Sequence, residues 1–422
     1  MVITASRALR RDDLMLAALY FAQGLPTGLV ALGLPPWLRA HDVGLEAIGA
    51  LGLAGLPWAL KFLWAPQVER LCMRRGVHPI IVATQTASAL AFAALATVAM
   101  DAVAVLPAGI ALLIVLNALC ATQDIATDRY AILQRGAAGA ARVNTARYVG
   151  FTLGMFAGGS GLLFAGGRWG WAVFMTACAL WMLGQALAVR ALREPAAGTG
   201  SAEHVVPRAE HVGASLRAFF AKPRAWRLLG IALVFNTAYA SSEAMLKSFY
   251  VDQGMSLDAI GLVSTLNLGL LGLVGAPLGT WLLARPGVDT RGVAVVSGVA
   301  AAALLALLSL AVGLKAPIWL TIALPAAQAV VEGAASLAFL SLFMRWSVGH
   351  QPGTDFTLFL CAHGLGGMLV ASFAGIVAAS LGYALHFVLG AACAALAMLY
   401  AWRTAGRSPT DETPAVLQHQ ET

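Results

Sequence analysis

Two carboxylates at the end of a long apolar run are the best placed to do chemistry. Asp124 and Asp128 lie four residues apart, so on a helix they share one face, with Gln123 beside them. A carboxylate near hydrocarbon costs about 2.5–3.5 kcal/mol on insertion scales, so it needs a partner or a water-filled cavity. Both acids are candidates for proton coupling or gating. For Asp128, which Arg129 follows, a helix end that meets water is an equal alternative.

The second half of the chain carries further acids inside apolar segments. Glu243 and Lys247 are four residues apart with the acid first, the better order for an ion pair on a helix. The two residues either line a cavity or form an ion pair with each other that has no role in transport. Glu332 stands in an apolar segment rich in small residues, where a carboxyl suits reversible protonation near neutral pH. We add Glu243 and Glu332 to the coupling candidates.

Other polar side chains that interrupt apolar segments are predicted to line a substrate cavity. Lys61 either extends to the membrane surface or pairs with one of the two aspartates. Arg147 is either a helix-end cation or an anion contact, and His363 is either a packing residue or a functional group. The predicted cavity residues are Gln23, Lys61, Gln123, Arg147, Asn236, Tyr239, Lys247, Asn267, Gln328 and His363.

The elements that must hold these residues are apolar helices. Of 422 residues, 59% are hydrophobic and only 11% are charged, against about 25% charged in a soluble protein. The apolar residues form blocks of about twenty, the length that spans hydrocarbon as a helix. We therefore expect an all-α membrane protein with twelve transmembrane helices. The predicted spans are about 14–38, 45–65, 79–100, 104–127, 144–166, 169–190, 227–250, 257–281, 292–313, 316–343, 355–379 and 382–402.

The distribution of basic residues predicts the topology of these spans. With a cytoplasmic N-terminus, 22 of the 27 Lys and Arg residues fall in inside segments. The predicted outside loops hold Arg39, Arg168 and Lys315. Because cytoplasmic loops are enriched in Lys and Arg, both termini are expected in the cytoplasm.

One long polar connection, 191–226, divides the predicted spans into six plus six. We expect an N-terminal six-helix bundle over 1–190 and a C-terminal one over 227–403. Between them lies a cytoplasmic linker, which is either an amphipathic surface segment or flexible. The stretch 404–422 is expected to be a disordered cytoplasmic tail.

The two halves also repeat. Leu45-Glu-Ala-Ile-Gly49 opens the second span, and Leu257-Asp-Ala-Ile-Gly261 opens the eighth, 212 residues later. A five-residue match at the offset that the span count requires indicates a duplication. Six plus six spans, a central linker and a parallel repeat are typical of the major facilitator fold, in which substrate binds near the bilayer midplane between the halves.

A charged stretch after the second span is predicted to be a conformational loop. It contains Glu69, Arg70, Arg74 and Arg75. Its position resembles that of the acidic–basic loop between spans two and three of major facilitators. Here Pro66 replaces the leading glycine and Glu69 the aspartate. The resemblance implies a charge lock between helices that opens during rocking.

Several function classes have no support in the sequence. No hydrolase, metalloprotease or nucleotide-binding motif occurs, and the five cysteines make no CxxC pair. We therefore expect no enzyme activity, no cofactor and no metal site. The net charge of +7 comes without a basic run interleaved with aromatics, so nucleic acid is not an expected partner. The expected partners are a small polar solute, protons and the lipid bilayer, with the chain a monomer.

Three stretches resemble one branch of the major facilitators, the muropeptide permeases and acetyl-coenzyme A transporters. They are Leu19-Tyr-Phe-Ala-Gln-Gly-Leu-Pro26, Lys61-Phe-Leu-Trp-Ala-Pro66 and Ala121-Thr-Gln-Asp-Ile-Ala-Thr-Asp128. They cover the first third of the chain well and the second half loosely. Within the branch, Ala54 to Pro66 and the compact length most resemble bacterial siderophore importers of the rhizobactin and pyochelin kind.

The resemblance implies a bacterial inner-membrane importer that works by alternating access. A siderophore or ferric siderophore, carried with protons, is the first expectation. An anhydromuropeptide for cell-wall recycling is the alternative.

Overall fold

A computed structural model of the chain describes residues 2–41, 43, 50–98, 106–190 and 214–405. These residues are almost entirely helical. Helices of the N-terminal part are α1 (Val2–Gly28), α2 (Leu34–Ala40), α3 (Leu56–Leu60), α4 (Ala65–Arg75), α5 (Val77–Ala96), α6 (Leu106–Arg135), α7 (Ala140–Gly161), α8 (Gly167–Trp169) and α9 (Trp171–Arg190). Those of the C-terminal part are α10 (Leu216–Phe220), α11 (Ala225–Val234), α12 (Thr237–Asp252), α13 (Leu257–Gly269), α14 (Ala276–Leu283), α15 (Thr290–Gly313), α16 (Ile318–Trp346) and α17 (Pro352–Thr404).

Short irregular turns join some of these helices into longer spans. Wide π-turns lie at Leu29–Gly33, Leu162–Gly166 and Leu270–Gly275, and tight 3-10 turns at Ala50–Gly55 and Lys61–Leu63. The first π-turn follows Pro26, a residue inside α1 that lacks a backbone N–H. The helix therefore widens within one turn after this proline.

Nine described helical stretches are long and apolar enough to cross a membrane. The last of them, α17, contains two spans, because Gly382 has φ 81° and ψ 164° and interrupts the helix. A shorter apolar stretch lies at 51–63, and α11 and α12 make one span interrupted at Asn236. The prediction of an all-α membrane protein with twelve spans is confirmed.

The chain forms two compact units. The first contains Met1–Gly136, Ala146–Ala218 and Gly349–Thr357. The second contains Ala137–Thr145, Phe219–Val348 and Leu358–Thr422. Both α7 and α17 therefore contribute residues to both units.

Parts of the predicted organisation lie outside the described residues. These parts are the first copy of the repeat at 45–49, residues 191–213 of the linker, and 406–422 of the tail. The described end of the linker forms α10, and the Ser215 N–H donates to Gln351 Oε1 at 2.8 Å. The division into two six-helix bundles and a linker stays a prediction.

Glycines set the closest approach in the first unit, where α1 crosses α7. A Cβ atom on Gly154 would overlap the carbonyl oxygen of Phe21 and lie 3.0 Å from the Gly24 Cα. A Cβ atom on Gly150 would likewise overlap the Ala17 carbonyl oxygen. Small residues at such spacing let helix backbones touch.

We expect Gly154→Ala to lower the stability of the protein, because its methyl group would push α1 and α7 apart. Overpacking of this kind costs about 1–3 kcal/mol. The measurement is the thermal unfolding midpoint of the purified protein in detergent. Gly184→Ala in α9 is the matched control, because nothing lies within 4 Å of a Cβ atom there. Equal midpoints for the two variants would contradict the tight crossing.

Candidate functional site

The two aspartates on α6 lie in a buried cluster of charged residues in the first unit. Asp124 and Asp128 are both 0% exposed. The 3-10 turn Lys61–Leu63 brings Lys61 to them, and α7 brings Arg147. Tyr20 comes from α1, one turn before Gly24.

Asp124 is bound by both cations of the cluster. Lys61 Nζ donates to its Oδ2 in an ion pair. Arg147 Nη2 lies 3.2 Å from its Oδ1 and 3.3 Å from its Oδ2. Because Lys61 is 2% exposed, it does not extend to the membrane surface, and the pairing interpretation holds.

Asp128 is bound at one oxygen by two donors. Tyr20 donates its hydroxyl to Asp128 Oδ1 at 2.7 Å, and Arg147 Nη1 donates to the same atom at 2.6 Å. Asp128 is therefore not an acid that meets water at a helix end. Likewise Arg147 is not an exposed helix-end cation. Two carboxylates and two cations make the cluster neutral, which offsets the cost of burying each charge.

The two glutamines predicted beside the aspartates are also buried. Gln123 Nε2 donates a long hydrogen bond of 3.5 Å to the carbonyl oxygen of Leu19. Gln23 is 0% exposed, and neither of its side-chain amide atoms has a hydrogen-bond partner among the described residues. A buried amide without partners costs about 1–3 kcal/mol, so Gln23 is a candidate for solute binding.

A cavity of about 340 Å³ lies in the first unit beside Trp58 and Asn117. Its other lining residues include Thr27, Val30 and Pro35. Trp58 donates its indole N–H to Asn117 Oδ1 at 2.9 Å, and Lys61 Nζ lies 5.2 Å from the centroid of the Trp58 ring. The cavity thus adjoins the charged cluster through the indole of Trp58.

The prediction of a loop here is wrong, because the four residues lie on helix α4. They are Glu69, Arg70, Arg74 and Arg75. The chain turns only after this helix, at Gly76, whose φ is 85°. Pro66 favours this helix, since proline is well tolerated in a first helical turn. Arg70, Arg74 and Arg75 are exposed, whereas Glu69 is fully buried.

Glu69 joins α4 to two other segments of the first unit. Arg129 Nη1 donates to its Oε1, and the backbone N–H of Thr354 donates to its Oε2 at 2.8 Å. That N–H lies in the first turn of α17, where a carboxylate is favoured. Burial raises the pKa of Glu69, while Arg129 and the Thr354 N–H oppose the rise.

In the second unit, α16 carries a buried polar stripe. Gln328 and Glu332 are each 1% exposed, and Ser336, one turn further, hydrogen-bonds the Glu332 carboxyl. On α13, Asn267 is 2% exposed. Within the described part of the chain, the Asn267 Oδ1 and both amide atoms of Gln328 have no hydrogen-bond partner. These side chains can accept hydrogen bonds from a solute.

The remaining candidates of the second unit are less buried. Lys247 Nζ lies 3.7 Å from Glu243 Oε2, with the lysine side chain 58% exposed and that of the glutamate 28% exposed. Asn236 lies half-buried at the interruption between α11 and α12, and Tyr239 is half-buried in the next turn. His363 stacks on Phe235 with 4.7 Å between ring centroids. Glu243 and Lys247 thus pair within one helix, and His363 packs against an aromatic ring; the roles predicted for these residues stay predictions.

Sequence reasoning missed three members of the first-unit site. Tyr20, Trp58 and Asn117 each make one of the hydrogen bonds described above. Asn117 had a usable signal, because it is polar in an apolar span and lies seven residues, two helical turns, before Asp124. Tyr20 and Trp58 had none, since their partners depend on how separate helices pack.

We expect Glu69→Gln to destabilise the protein, because Arg129 would keep its charge in a mostly buried place without its carboxylate. Removing one partner of a buried pair costs about 3–5 kcal/mol. The thermal midpoint in detergent measures the loss. Arg74→Gln, at an exposed position of the same helix, is the control and should leave the midpoint unchanged. A stable Glu69→Gln variant would contradict a structural role for this pair.

Residues 13–165 match the family model described as acetyl-coenzyme A transporter 1. The chain is similar to the anhydromuropeptide permease of Escherichia coli K12, with 31% identity over 291 residues. That match covers 64% of this chain and 55% of the permease. The chain thus spans about half the length of this curated relative.

Solved structures with the same fold are more distant in sequence. An E. coli fucose:proton symporter superposes with a TM-score of 0.71 at 15% identity, over 94% of this chain and 98% of the symporter. A proton:xylose symporter superposes with a TM-score of 0.66 at 12% identity, over 93% and 94% of the two chains. The protein is therefore a multi-pass membrane protein with the major facilitator fold, and its N-terminal third is similar to the acetyl-coenzyme A transporter family.

Proposed function

We propose that this protein is a secondary active transporter that moves a small polar solute across a bacterial inner membrane together with protons. The observation that carries the proposal is the buried, neutral cluster of Lys61, Asp124, Asp128 and Arg147. Ionisable residues inside a membrane bundle are costly and mark ion or substrate pathways. In the major facilitator fold they belong to a site that opens alternately to the two sides of the membrane.

An anhydromuropeptide is the solute class that we favour. The similarity to the anhydromuropeptide permease of E. coli supports this solute. It gives no support to a siderophore, the solute implied by the resemblance of Ala54 to Pro66 and of the compact length. A muropeptide offers amides, hydroxyls and carboxylates. In the first unit, the unpartnered buried amide of Gln23 and the guanidinium of Arg147 can each bind one of these groups.

The coupling groups of this proposal divide between the two units. In the first unit, protonation of an aspartate would weaken its hold on Arg147. In the second unit, Glu332 lies deep in α16 with Ser336 as its partner. The proton gradient drives the cycle in this proposal, and the sequence contains no nucleotide-binding motif. We further propose that both termini lie in the cytoplasm and that one chain suffices for transport.

We expect cells that lack their own permease to accumulate labelled anhydromuropeptide when they express this protein, and a protonophore to abolish the accumulation. Ferric siderophore offered side by side should not accumulate. Asp124→Asn and Glu332→Gln should each reduce muropeptide accumulation to the level of protonophore-treated cells, because each removes a carboxyl that the cycle needs.

Asp13→Asn is the matched control for these two variants. Asp13 also forms an ion pair, at 2.7 Å with Arg135, but its side chain is 34% exposed. Its loss should leave accumulation intact, because Asp13 lies outside the cluster of Lys61, Asp124, Asp128 and Arg147 and has no role in the proposed cycle. Normal accumulation by both Asp124→Asn and Glu332→Gln would show that these acids are structural. Protonophore-sensitive iron uptake without muropeptide uptake would replace the proposed solute by a siderophore.

A further inference from the structure

The two acids of the cluster differ in the cations that pair with them. Asp124 pairs with both Lys61 and Arg147, whereas the cation that pairs with Asp128 is Arg147. One oxygen of each acid, Asp124 Oδ1 and Asp128 Oδ2, is buried and accepts no hydrogen bond from any residue that the structure describes, but Asp124 Oδ1 has the Arg147 Nη2 cation at 3.2 Å. Asp128 Oδ1 accepts from Tyr20 and Arg147. A buried carboxylate oxygen without a donor is unfavourable. A proton on Asp128 Oδ2 would remove this cost.

The surroundings of Asp128 single out Arg147 as the cation that would respond. Tyr20 faces Asp128 from α1, Arg147 from α7, Lys61 from the 3-10 turn and Asp124 from its own helix. Two more helices, α4 and α5, pack against α6 beyond Asp128. Each supplies one charged or titratable group that already has a partner. These are Glu69, which pairs with Arg129, and His78, which contacts the Tyr130 ring with 5.5 Å between centroids.

Exposure decides which member of the cluster a solute can reach. Both aspartate side chains are fully buried, whereas the Arg147 side chain is 15% exposed. Its guanidinium lies 5.2 Å from the Tyr20 ring centroid and 5.6 Å from that of Phe356. These two rings orient a planar cation that can bind a carboxylate with two parallel hydrogen bonds. An anion that approaches the cluster therefore meets Arg147 first.

The charges of the cluster limit how an anion can bind there. Two aspartates, Lys61 and Arg147 sum to zero. A carboxylate added alone would leave one buried negative charge, and a proton added alone would leave one buried positive charge. When both bind, the sum returns to zero, so each favours the other through the cost of a buried net charge.

We propose that Asp128 is the proton carrier of the first unit and that its protonation frees Arg147 to bind a carboxylate of the transported solute. This inference rests on the proposed transport function. A proton from water bonds to Asp128 Oδ2, and the ion pair with Arg147 Nη1 becomes a weaker bond to a neutral acid. The solute carboxylate then binds the Arg147 guanidinium, while the Tyr20 hydroxyl still donates its hydrogen bond to Asp128 Oδ1. Release of the proton restores the ion pair and displaces the carboxylate. One proton moves with each carboxylate.

The protonation step can be tested without any solute. Infrared difference spectra of the purified protein in detergent, recorded between acidic and neutral pH, should contain the C=O stretch of a protonated carboxyl. We expect Asp128→Asn to lose that band, and Asp124→Asn and Asp13→Asn to keep it. If Asp128→Asn does not fold, Asp128→Glu should keep a band at a shifted frequency. A band that is unchanged in either Asp128 variant would overturn the assignment.

The exchange step is tested in proteoliposomes with labelled anhydromuropeptide. We expect Asp128→Asn to retain counterflow, with no dependence on pH, and to lose concentrative uptake. Arg147→Gln should lose both. Concentrative uptake by Asp128→Asn would overturn the inference. If the wild-type protein shows no muropeptide counterflow, the proposed solute is wrong, and the infrared spectra still decide whether Asp128 carries the proton.

Discussion

A charge that is buried among apolar helices has to be neutralised where it lies. This constraint determines how helices pack in the first unit, because α6 places two carboxylates one turn apart with no exposure to solvent. Their counter-charges come from different segments: Lys61 from the turn after α3 and Arg147 from α7. Both segments must therefore pack against one stretch of α6. The ion pairs therefore determine which residues of these segments face each other, whether or not they add net stability.

The crossing of α1 and α7 serves the same cluster. Gly24 and Gly154 bring the two backbones into contact, and Tyr20 and Arg147 lie one and two turns before these glycines. Near this crossing a tyrosine from one helix and an arginine from the other reach the same oxygen of Asp128, at 2.7 and 2.6 Å. Larger residues at the crossing would separate the two donors, so packing between small residues and electrostatics depend on each other here.

The sequence predicted the spans well and the partners only in part. Apolar blocks of about twenty residues suffice to locate helices, because the membrane sets their length. The pairing of Lys61 with an aspartate was one of two open alternatives, since a lysine near a span end can also extend to the surface. The contact of Glu69 with the Thr354 N–H joins residues 285 apart, and no local pattern encodes it. The helix α4 was predicted as a loop, because its charges resemble those of the loop between spans two and three of major facilitators.

The predicted duplication carries no matching chemistry in the two halves. At the 212-residue offset of the repeat, Asp124 corresponds to Ser336 and Cys120 to Glu332, so the carboxyl of the second copy lies one turn earlier on its helix. At the same offset, Tyr20 corresponds to Ala232 and Lys61 to Leu273. Asp128 corresponds to Leu340 and Arg147 to Phe359. These four counterparts are apolar residues and supply no charge to Glu332. Its carboxyl instead hydrogen-bonds Ser336 on its own helix. A carboxyl with such a partner can change its charge without rearranging a network of ion pairs. In the first unit, by contrast, each change of charge must move Arg147, and movement of that cation is what can link a proton to a solute.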